Sequence, residues 1–377
     1  MNRSRRHPTL ALLATVAGAL LVTLLLLEAV FHLLPVNELL RSLPVNAASP
    51  MLRFVPDQTL LRSDGAFFSM RNTVHSNNYG FLNDQEYDPQ APTPLMAVIG
   101  DSYVEAAMVP YRETGFGRLA EALEGRMRVY SFGRSGAPLS QYLATASWVR
   151  EEFSPQYMTF VIVGNDFDES LLEYKSAPGF HYFRREGGKL VLHRIDYTPG
   201  LGVKIVTRSR LLMYLFTNLH LIERMQQFRA QQSSPEYAGQ TLATVSSDRL
   251  RKSQEAAIAF LDQLPGLAQL PPKKILFVVD GIRPALYDDS DREKSASTYF
   301  GTMRRFFLNS AQARGYRTVD MQEVFAGDWH QHRKRFDFAA DMHWNSRGHA
   351  LFAREVLESG LVEMVTPINE RISPEAP

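Results

Sequence analysis

Three polar motifs suited to nucleophilic chemistry each follow directly on a short apolar run. Gly100-Asp101-Ser102 supplies a serine hydroxyl, Gly133 a backbone N–H without a side chain in the way, and Asn165 a side-chain amide. A hydroxyl attacks a carbonyl carbon when a base removes its proton, and N–H donors stabilise the negative charge that develops on the carbonyl oxygen. Taken singly, each motif has an ordinary explanation as a helix cap, a tight turn or an Asx-turn.

A base for such a reaction is present in Asp341-Met342-His343. Residues two apart in an extended segment project to the same side, so the Asp341 carboxylate can hold the His343 imidazole in one tautomer and stabilise its cation. The same pair could instead serve a metal ion, but two ligands are too few, and no third histidine or carboxylate has a convincing spacing. The residues imply no metal or organic cofactor. The residues alone therefore make His343 and Asp341 candidates for a base and the carboxylate that orients it, while Ser102 stays either a helix cap or a nucleophile.

The elements that must position these residues alternate between strand and helix signals. Short continuous apolar runs predict strands buried on both faces, and helices between them predict right-handed crossovers and a parallel sheet with helices on both sides. Ligands of such sheets lie beyond the carboxyl ends of the strands, where the three motifs stand. The predicted strands are 95–99, 128–132, 158–163, 274–279 and a short 317–320, and the predicted helices are 103–125 with a break at Pro110, 139–152, 294–314 and 346–359.

Residues 168–252 interrupt this alternation. Residues 182–191 predict a hairpin around Gly187-Gly188. Residues 211–222 are mostly apolar and uncharged, and as a helix they would be too short to span a bilayer, which leaves a buried packing helix, a lid or a membrane-touching surface. Residues 230–247 are rich in Gln and Ser and predict a loop. We interpret 168–252 as an insertion that caps the active edge of a domain spanning 93–377.

The first 35 residues differ from the rest of the chain. Thr9–Leu27 carries no charged side chain and is long enough, as a helix, to cross the hydrocarbon core of a bilayer. Three arginines precede it, so the positive-inside rule leaves the N-terminus in the cytoplasm and residues 36–377 on the other side. A cleaved signal peptide is the alternative, although its apolar core is usually about 7–15 residues. The sequence thus predicts a cytoplasmic stub and single-pass transmembrane anchor at 1–35, a linker and extension at 36–92, and a main domain on the far side of the membrane.

Composition excludes several classes of protein. The chain has 377 residues, with 41 Lys and Arg against 40 Asp and Glu, so no global basic field indicates a nucleic-acid partner. Cysteine is absent, which excludes disulfides, thiolate catalysis and cysteine-ligated metals. An apolar content of 45% is typical of a globular protein with a sizeable core.

In their order along the chain, the motifs resemble those of the SGNH (GDSL-type) hydrolases. The order in this chain is Gly-Asp-Ser, then Gly, then Gly-Asn-Asp, then Asp-x-His-Trp-Asn. The stretch 77–81 (Asn-Asn-Tyr-Gly-Phe) is also similar to the corresponding stretch of membrane-anchored bacterial members. The resemblance covers about 75–170 and 270–360. It implies a flavodoxin-like three-layer α/β/α domain that is anchored in a bacterial inner membrane and lies in the periplasm.

The same resemblance implies the roles of individual residues. Ser102 matches the nucleophile, His343 matches the base, and Asp341 matches the carboxylate that orients the base. The oxyanion donors match the Ser102 N–H, the Gly133 N–H and the side-chain amide of Asn165. Only Met342 separates Asp341 from His343, where many members have two residues, and Gly164 is adjacent to Asn165, where many have one residue between. Asp166 and Asp337 are therefore possible substitutes for Asp341.

These residues lead to three candidate functions. The first is an esterase that removes an acyl group, most simply acetyl, from an extracytoplasmic glycan or a small ester. The second is an O-acyltransferase that uses the same residues to acylate an exopolysaccharide or peptidoglycan beside a glycan assembly machinery. The third is a catalytically silent glycan-binding scaffold. Four aromatic residues next to the motifs are candidates for either sugar stacking or core packing: Tyr103, Tyr142, Phe167 and Trp344.

Overall fold

The structure, a computed structural model, describes residues 8–221, 244–287, 295, 297–338 and 341–362. Most of the loop predicted at 230–247 lies outside the described residues, as do Ile222, residues 294 and 296 of a predicted helix, and the three arginines before Thr9. The described chain forms two compact units. The smaller contains residues 8–41, 60–73 and 200–221, and the larger contains the remaining described residues.

Nine strands and eleven α-helices make up the described chain. The strands are β1 Gln58–Asp64, β2 Met70–Ser76, β3 Leu95–Gly100, β4 Arg128–Gly133, β5 Tyr157–Ile162, β6 His181–Glu186, β7 Lys189–Arg194, β8 Ile275–Val279 and β9 Arg317–Asp320. The helices are α1 Pro8–His32, α2 Ser102–Glu105, α3 Gly115–Ala122, α4 Leu139–Phe153, α5 Leu201–Val206, α6 Arg210–Met213, α7 Ser247–Ala268, α8 Pro284–Tyr287, α9 Tyr299–Gln312, α10 Met321–His332 and α11 Ser346–Glu358.

A five-stranded parallel sheet organises the larger unit, with spatial order β4-β3-β5-β8-β9. If the five strands are numbered 1 to 5 along the chain, their spatial order is 2-1-3-4-5, which is the flavodoxin-like order. Successive strands are first added on one side of β3 and then on the other, so the order reverses between β3 and β5. Every residue of β3 and β8 is buried, because helices cover both faces and the strands need no polar side. The predicted fold class of a three-layer α/β/α domain is confirmed.

The two faces of the sheet carry separate hydrophobic clusters. One combines α4, α7 and α9 with residues such as Leu143, Phe260 and Phe307. The other combines α2, α3, α10 and α11 with residues such as Leu119 and Phe352. Sequence reasoning did not identify α7 or α10, because their apolar residues stand among many polar ones, and the helices become recognisable only through the faces that they bury.

The open edge of β4 is closed by the stretch 77–87. The Tyr87 hydroxyl donates to the carbonyl of Ser131 at 2.6 Å and accepts from its N–H at 2.9 Å. Asn77 Oδ1 accepts from the amides of Tyr79 and Phe81, which fixes the turn of the Asn-Asn-Tyr-Gly-Phe stretch. This stretch therefore covers a strand edge that would otherwise be unpaired.

The described part of the predicted insertion is divided between the two units. The hairpin is confirmed as β6 and β7, joined by Gly187 and Gly188 with φ of +54° and +82°, the values that a tight primed turn requires. Residues 200–221 belong to the smaller unit with α1 and the β1–β2 hairpin. There, α6 and a following π-turn, Tyr214–Asn218, occupy the segment predicted as a short apolar helix.

Candidate active site

Ser102 begins α2 immediately beyond the carboxyl end of β3. Asp101 caps this short helix, since its carboxylate accepts the amide N–H of Tyr103 at 2.9 Å. The preceding Gly100 has no space for a side chain, because an added Cβ would lie 2.4 Å from Cγ2 of Val104. The glycine therefore lets α2 turn tightly over the strand end, and this places the Ser102 hydroxyl at the edge where the sheet order reverses.

The structure brings Ser102, His343 and Asp341 together although 241 residues separate the serine from the histidine. Nε2 of His343 lies 2.7 Å from the Ser102 hydroxyl. Nδ1 of the same ring lies 2.5 Å from Oδ1 of Asp341, which also accepts the His343 amide N–H at 3.1 Å. One imidazole nitrogen thus faces the hydroxyl and the other faces a carboxylate, the arrangement that activates a serine for attack.

The charges at the site favour a protonatable His343 beside an ionised Asp341. Burial lowers the pKa of His343, but the hydrogen bond and the charge of Asp341 outweigh it, so that this pKa is raised overall. For Asp341, burial raises the pKa, and its bonds to His343 more than offset this and lower it. The pair therefore favours the imidazolium that forms when the histidine takes the serine proton.

A second carboxylate, that of Asp101, also lies near the serine hydroxyl, with its Oδ2 3.3 Å from the Ser102 oxygen. Burial raises the pKa of Asp101 to about 6, and the neighbouring amide of Tyr103 and the charge of His343 oppose the rise. Neither Asp166 nor Asp337 replaces Asp341 as the partner of His343. Asp166 accepts from Tyr142 Oη and the Val163 amide, and Asp337 accepts from Arg335.

Gly133 ends β4 and lies against the backbone of α2. A Cβ on Gly133 would lie 2.1 Å from the nitrogen of Glu105, so this position has to be glycine for packing reasons alone. The Glu105 carboxylate then holds the loop that leaves β4, accepting from the amide and hydroxyl of Ser135 at 2.8 and 2.7 Å. A second glycine, Gly136, follows in this loop with φ of +80°. The predicted role of Gly133 as an N–H donor stays a prediction.

Asn165 follows β5 across the reversal point from Ser102. Its Nδ2 donates to Glu169 Oε2 at 3.1 Å, and its Oδ1 is buried without a hydrogen-bond partner among the described residues. Glu169 is paired with Lys175, whose Nζ also donates to the carbonyl of Gly136 at 2.9 Å. Lys175 and Glu169 therefore tie Asn165 to the glycine loop after β4, a connection that sequence reasoning missed because their spacing from the motifs is irregular.

A buried ion pair at the end of β8 holds the segment that carries His343. Arg283 pairs with Asp280, and its guanidinium also donates to the carbonyl of Met342, just before the histidine. The Tyr103 hydroxyl donates to that same carbonyl at 2.9 Å. Just after the histidine, Trp344 Nε1 donates to Asp280 Oδ1 at 2.9 Å. The Asp280–Arg283 pair thus fixes the backbone on both sides of His343.

The sequence signal for this pair was present but incomplete. Asp280-Gly281 was visible at the end of a predicted strand, where functional side chains of such sheets cluster. Arg283, which is 2% exposed, gave no signal, because nothing local distinguishes a buried arginine from a surface one.

The four aromatic residues next to the motifs are buried. Tyr103, Tyr142, Phe167 and Trp344 are each at most 2% exposed. Their rings have no free face for a ligand, so the interpretation as a sugar-stacking surface is wrong, and core packing is their role. Within the described ranges, no cluster of three or more His, Asp or Glu side chains has the arrangement of a metal site.

Comparison with known proteins finds likeness at the level of structure. No protein-family model matches the sequence, and no curated protein matches it. A solved lipase from a goat rumen metagenome is 14% identical, with a TM-score of 0.40, over 72% of this chain and 99% of the lipase. A member of the lipolytic G-D-S-L family from Veillonella parvula is 12% identical, with a TM-score of 0.34, over 71% of this chain and 97% of its own.

A third solved structure, an acetyl-xylooligosaccharide esterase mutant from Geobacillus Stearmophilus, is 12% identical, with a TM-score of 0.38, over 73% of this chain and 97% of the esterase. The three matched structures are described as a lipase, a member of the lipolytic G-D-S-L family and an acetyl-xylooligosaccharide esterase. At these identities and TM-scores, the likenesses carry no argument about activity, which has to come from the site itself.

Proposed function

We propose that this protein is a serine esterase of the SGNH type that removes an acyl group, most simply acetyl, from a glycan outside the cytoplasm. The observation that carries the proposal is the continuous chain of contacts from Ser102 through His343 to Asp341. A serine hydroxyl 2.7 Å from one nitrogen of a histidine whose other nitrogen contacts a carboxylate has the arrangement needed for nucleophilic attack on an acyl carbon.

The reaction proceeds through an acyl-enzyme. His343 takes the proton of Ser102 as the hydroxyl oxygen attacks the ester carbonyl, and Asp341 stabilises the resulting imidazolium. The oxyanion accepts hydrogen bonds from the Ser102 N–H, from the Gly133 N–H at the start of the loop after β4, and from the Asn165 amide. The imidazolium then protonates the departing alcohol, and water, deprotonated by His343, releases the acid and restores the serine.

The membrane anchor is the second part of the proposal. Within the described residues, α1 contains one stretch, Ala11–His32, that is long and apolar enough to cross a membrane, a test that a signal sequence also passes. The carboxylate of Glu28 accepts from the Ser209 hydroxyl and the Arg210 amide, each at 2.7 Å, and the Phe31 ring lies 4.4 Å from that of Tyr214. These contacts support a helix that is retained as part of the folded protein. The proposal places it in the bacterial inner membrane with its N-terminus in the cytoplasm, the orientation that the arginines before Thr9 favour.

The decisive test uses the full chain in a mild detergent and a fluorophosphonate probe, with any adduct located by peptide mass. We expect an adduct on Ser102 that is lost in Ser102→Ala and in His343→Ala. His330→Ala, which changes a histidine on α10, is the matched control and should label like the parent. An unlabelled parent protein that is shown to be folded would contradict the esterase proposal and favour a silent glycan-binding scaffold.

The same preparation separates the esterase from an O-acyltransferase. With an acetyl ester as donor, an esterase releases acetate at a rate that sugar acceptors do not change. An acyltransferase consumes the donor faster when an acceptor sugar is present, and the acetyl group appears on the sugar. The second outcome would leave the residue roles intact and replace water by a sugar hydroxyl in the last step.

A further inference from the structure

Among the described residues, the exposed large apolar side chains are confined to one part of the protein. Apart from α1, six large hydrophobic side chains of the described residues are exposed, and all six belong to the smaller unit. Single exposed apolar residues are normal on any surface, but a complete segregation into the minor part of the chain indicates a partner surface. We refer to this set as the apolar collar: Leu33, Leu34, Phe67, Leu201, Ile205 and Leu221.

Contacts within the smaller unit place the collar at the end of α1. Leu33 and Leu34 follow the helix directly. Tyr214 lies between the helix end and the tip of the β1–β2 hairpin, with its ring 4.4 Å from Phe31 and its hydroxyl donating to the carbonyl of Ala66 at 3.0 Å. The next residue of that tip, Phe67, is 90% exposed. The hairpin tip is therefore held beside the point where the helix would leave the bilayer.

The short helix α5 presents a second part of the collar. Leu201 and Ile205 are 76% and 61% exposed, and with a spacing of four residues they share one face of the helix. Three residues after α5, Ser209 donates to Glu28, so this helix too is connected to the end of α1. The helix therefore presents an apolar face that no described residue covers.

The exposed charged side chains among the described residues of the smaller unit, apart from histidine, are all positive. They are Arg41, Arg71, Lys204 and Arg208. Its three carboxylates are only partly exposed, and each has a partner: Glu28 at the start of α6, Glu38 with Arg210, and Asp64 with His220. Exposed apolar side chains together with basic ones are the composition of segments that lie in the interface of an anionic bilayer.

We infer that the apolar collar is a second membrane contact, which inserts Phe67, Leu201 and Ile205 into the lipid–water interface around the end of α1. This inference rests on the proposed membrane anchor and adds to it a lipid-binding surface made from distant segments of the chain. The basic residues would lie at the level of the headgroups and bind anionic phospholipid.

The absence of cysteine from the native sequence makes a direct test possible. Single variants Phe67→Cys and Ile205→Cys of the full chain carry a nitroxide spin label, in vesicles of phosphatidylethanolamine and phosphatidylglycerol. The measurement is the accessibility of each label to oxygen, which partitions into lipid, relative to a water-soluble nickel chelate. Lys189→Cys is the matched control, because it lies exposed at the tip of the β6–β7 hairpin in the larger unit.

We expect the ratio of oxygen to nickel accessibility at positions 67 and 205 to exceed that at position 189 by on the order of tenfold, since acyl chains exclude the chelate. A fourth variant, Leu20→Cys in the middle of α1, tests the anchor separately. Labels at 67 and 205 that are as accessible to nickel as the label at 189, while the label at 20 is protected, would overturn the inference and leave the anchor standing. Nickel access at position 20 as well would mean that the anchor proposal itself has failed.

Discussion

Replacing Arg283 by methionine tests its contribution both to the stability of the larger unit and to the positioning of His343. The guanidinium is buried and makes contacts with Asp280, the Tyr103 hydroxyl and the carbonyl of Met342. Methionine keeps most of the apolar stem and removes the charge. The Asp280 carboxylate then remains buried without its ionic partner, and the backbone before His343 loses one of its two donors.

The two consequences have different magnitudes. Removing one partner of a buried ion pair costs about 3–5 kcal/mol of unfolding free energy. A displacement of the histidine by about 1 Å costs on the order of 10²-fold in rate, because the proton transfer needs a near-ideal distance between Nε2 and the hydroxyl. We therefore expect Arg283→Met to unfold at lower denaturant and to react with a fluorophosphonate roughly 100-fold more slowly at Ser102.

A double variant tells the two effects apart. In Asp280→Asn with Arg283→Met, the neutral amide still accepts from Trp344 Nε1, and no unpaired charge remains, so most of the lost stability should return. The labelling rate should stay low, because the Met342 carbonyl is still released from Arg283. Both measurements use the full chain in detergent, and probe labelling reports on the activated serine whatever the natural ester is.

The pH profile provides a readout that a purely structural role would not change. Besides burial and Asp341, the positive charge of Arg283 acts on His343 and lowers its pKa. Loss of that charge should move the acid limb of the labelling rate to higher pH. A variant that is destabilised but keeps both the parental labelling rate and the parental pH profile would refute the positioning role of Arg283.

Three further outcomes follow from the site. His343 must be neutral to act as a base, and its pKa is raised overall. The labelling rate should therefore increase with pH through a midpoint above the ordinary histidine pKa of about 6.5, and Asp341→Asn should lower that midpoint. A midpoint below about 6 in the parent protein would contradict the assignment of the pair. Asn165→Ala should reduce the turnover of an acetyl ester by on the order of 10²–10³-fold, equivalent to about 2.7–4 kcal/mol, and parental turnover would remove Asn165 from the oxyanion site. Gly133→Ala should fail to yield folded protein, because the new Cβ would lie 2.1 Å from the α2 backbone. The control Gly327→Ala should fold, because a Cβ added at this helical position would have no atom within 4 Å. Circular dichroism and thermal melting measure both outcomes.

Much of the fold was determined by local features of the sequence. Buried strands such as β3 and β5 are recognisable in the sequence as unbroken apolar runs, because a strand covered on both faces has no polar side. The order of these runs and the helices between them fixes a parallel sheet, since crossover connections have one hand. The apolar stretch of α1 and the hairpin at Gly187-Gly188 are signals of the same local kind, because each is contained in one short continuous segment of the sequence.

The candidate site was predictable where its residues stand at strand ends. Ser102 and Asn165 lie two and three residues after the ends of β3 and β5, and the carboxyl ends of parallel strands meet at one edge. Asp341 was one of three carboxylates that the sequence left open, and its selection depended on which of them the fold brings to His343. The chain between 341 and 343 is short enough to bring the two side chains together by itself, but only the neighbouring contacts to Asp280 and Arg283 show how that segment is held in place.

The tertiary structure alone decided the features that depend on contacts between distant residues. The burial of Tyr142 and Trp344, the pairing of Asp280 with Arg283 around the histidine, and the union of α1 with residues 60–73 and 200–221 have no counterpart in local periodicity. Sequence patterns report how each segment divides its own polar and apolar residues, because that division is set by the geometry of a single helix or strand. Which segments then meet is set by packing over the whole chain, and both the positioning of His343 and the apolar collar belong to that second level.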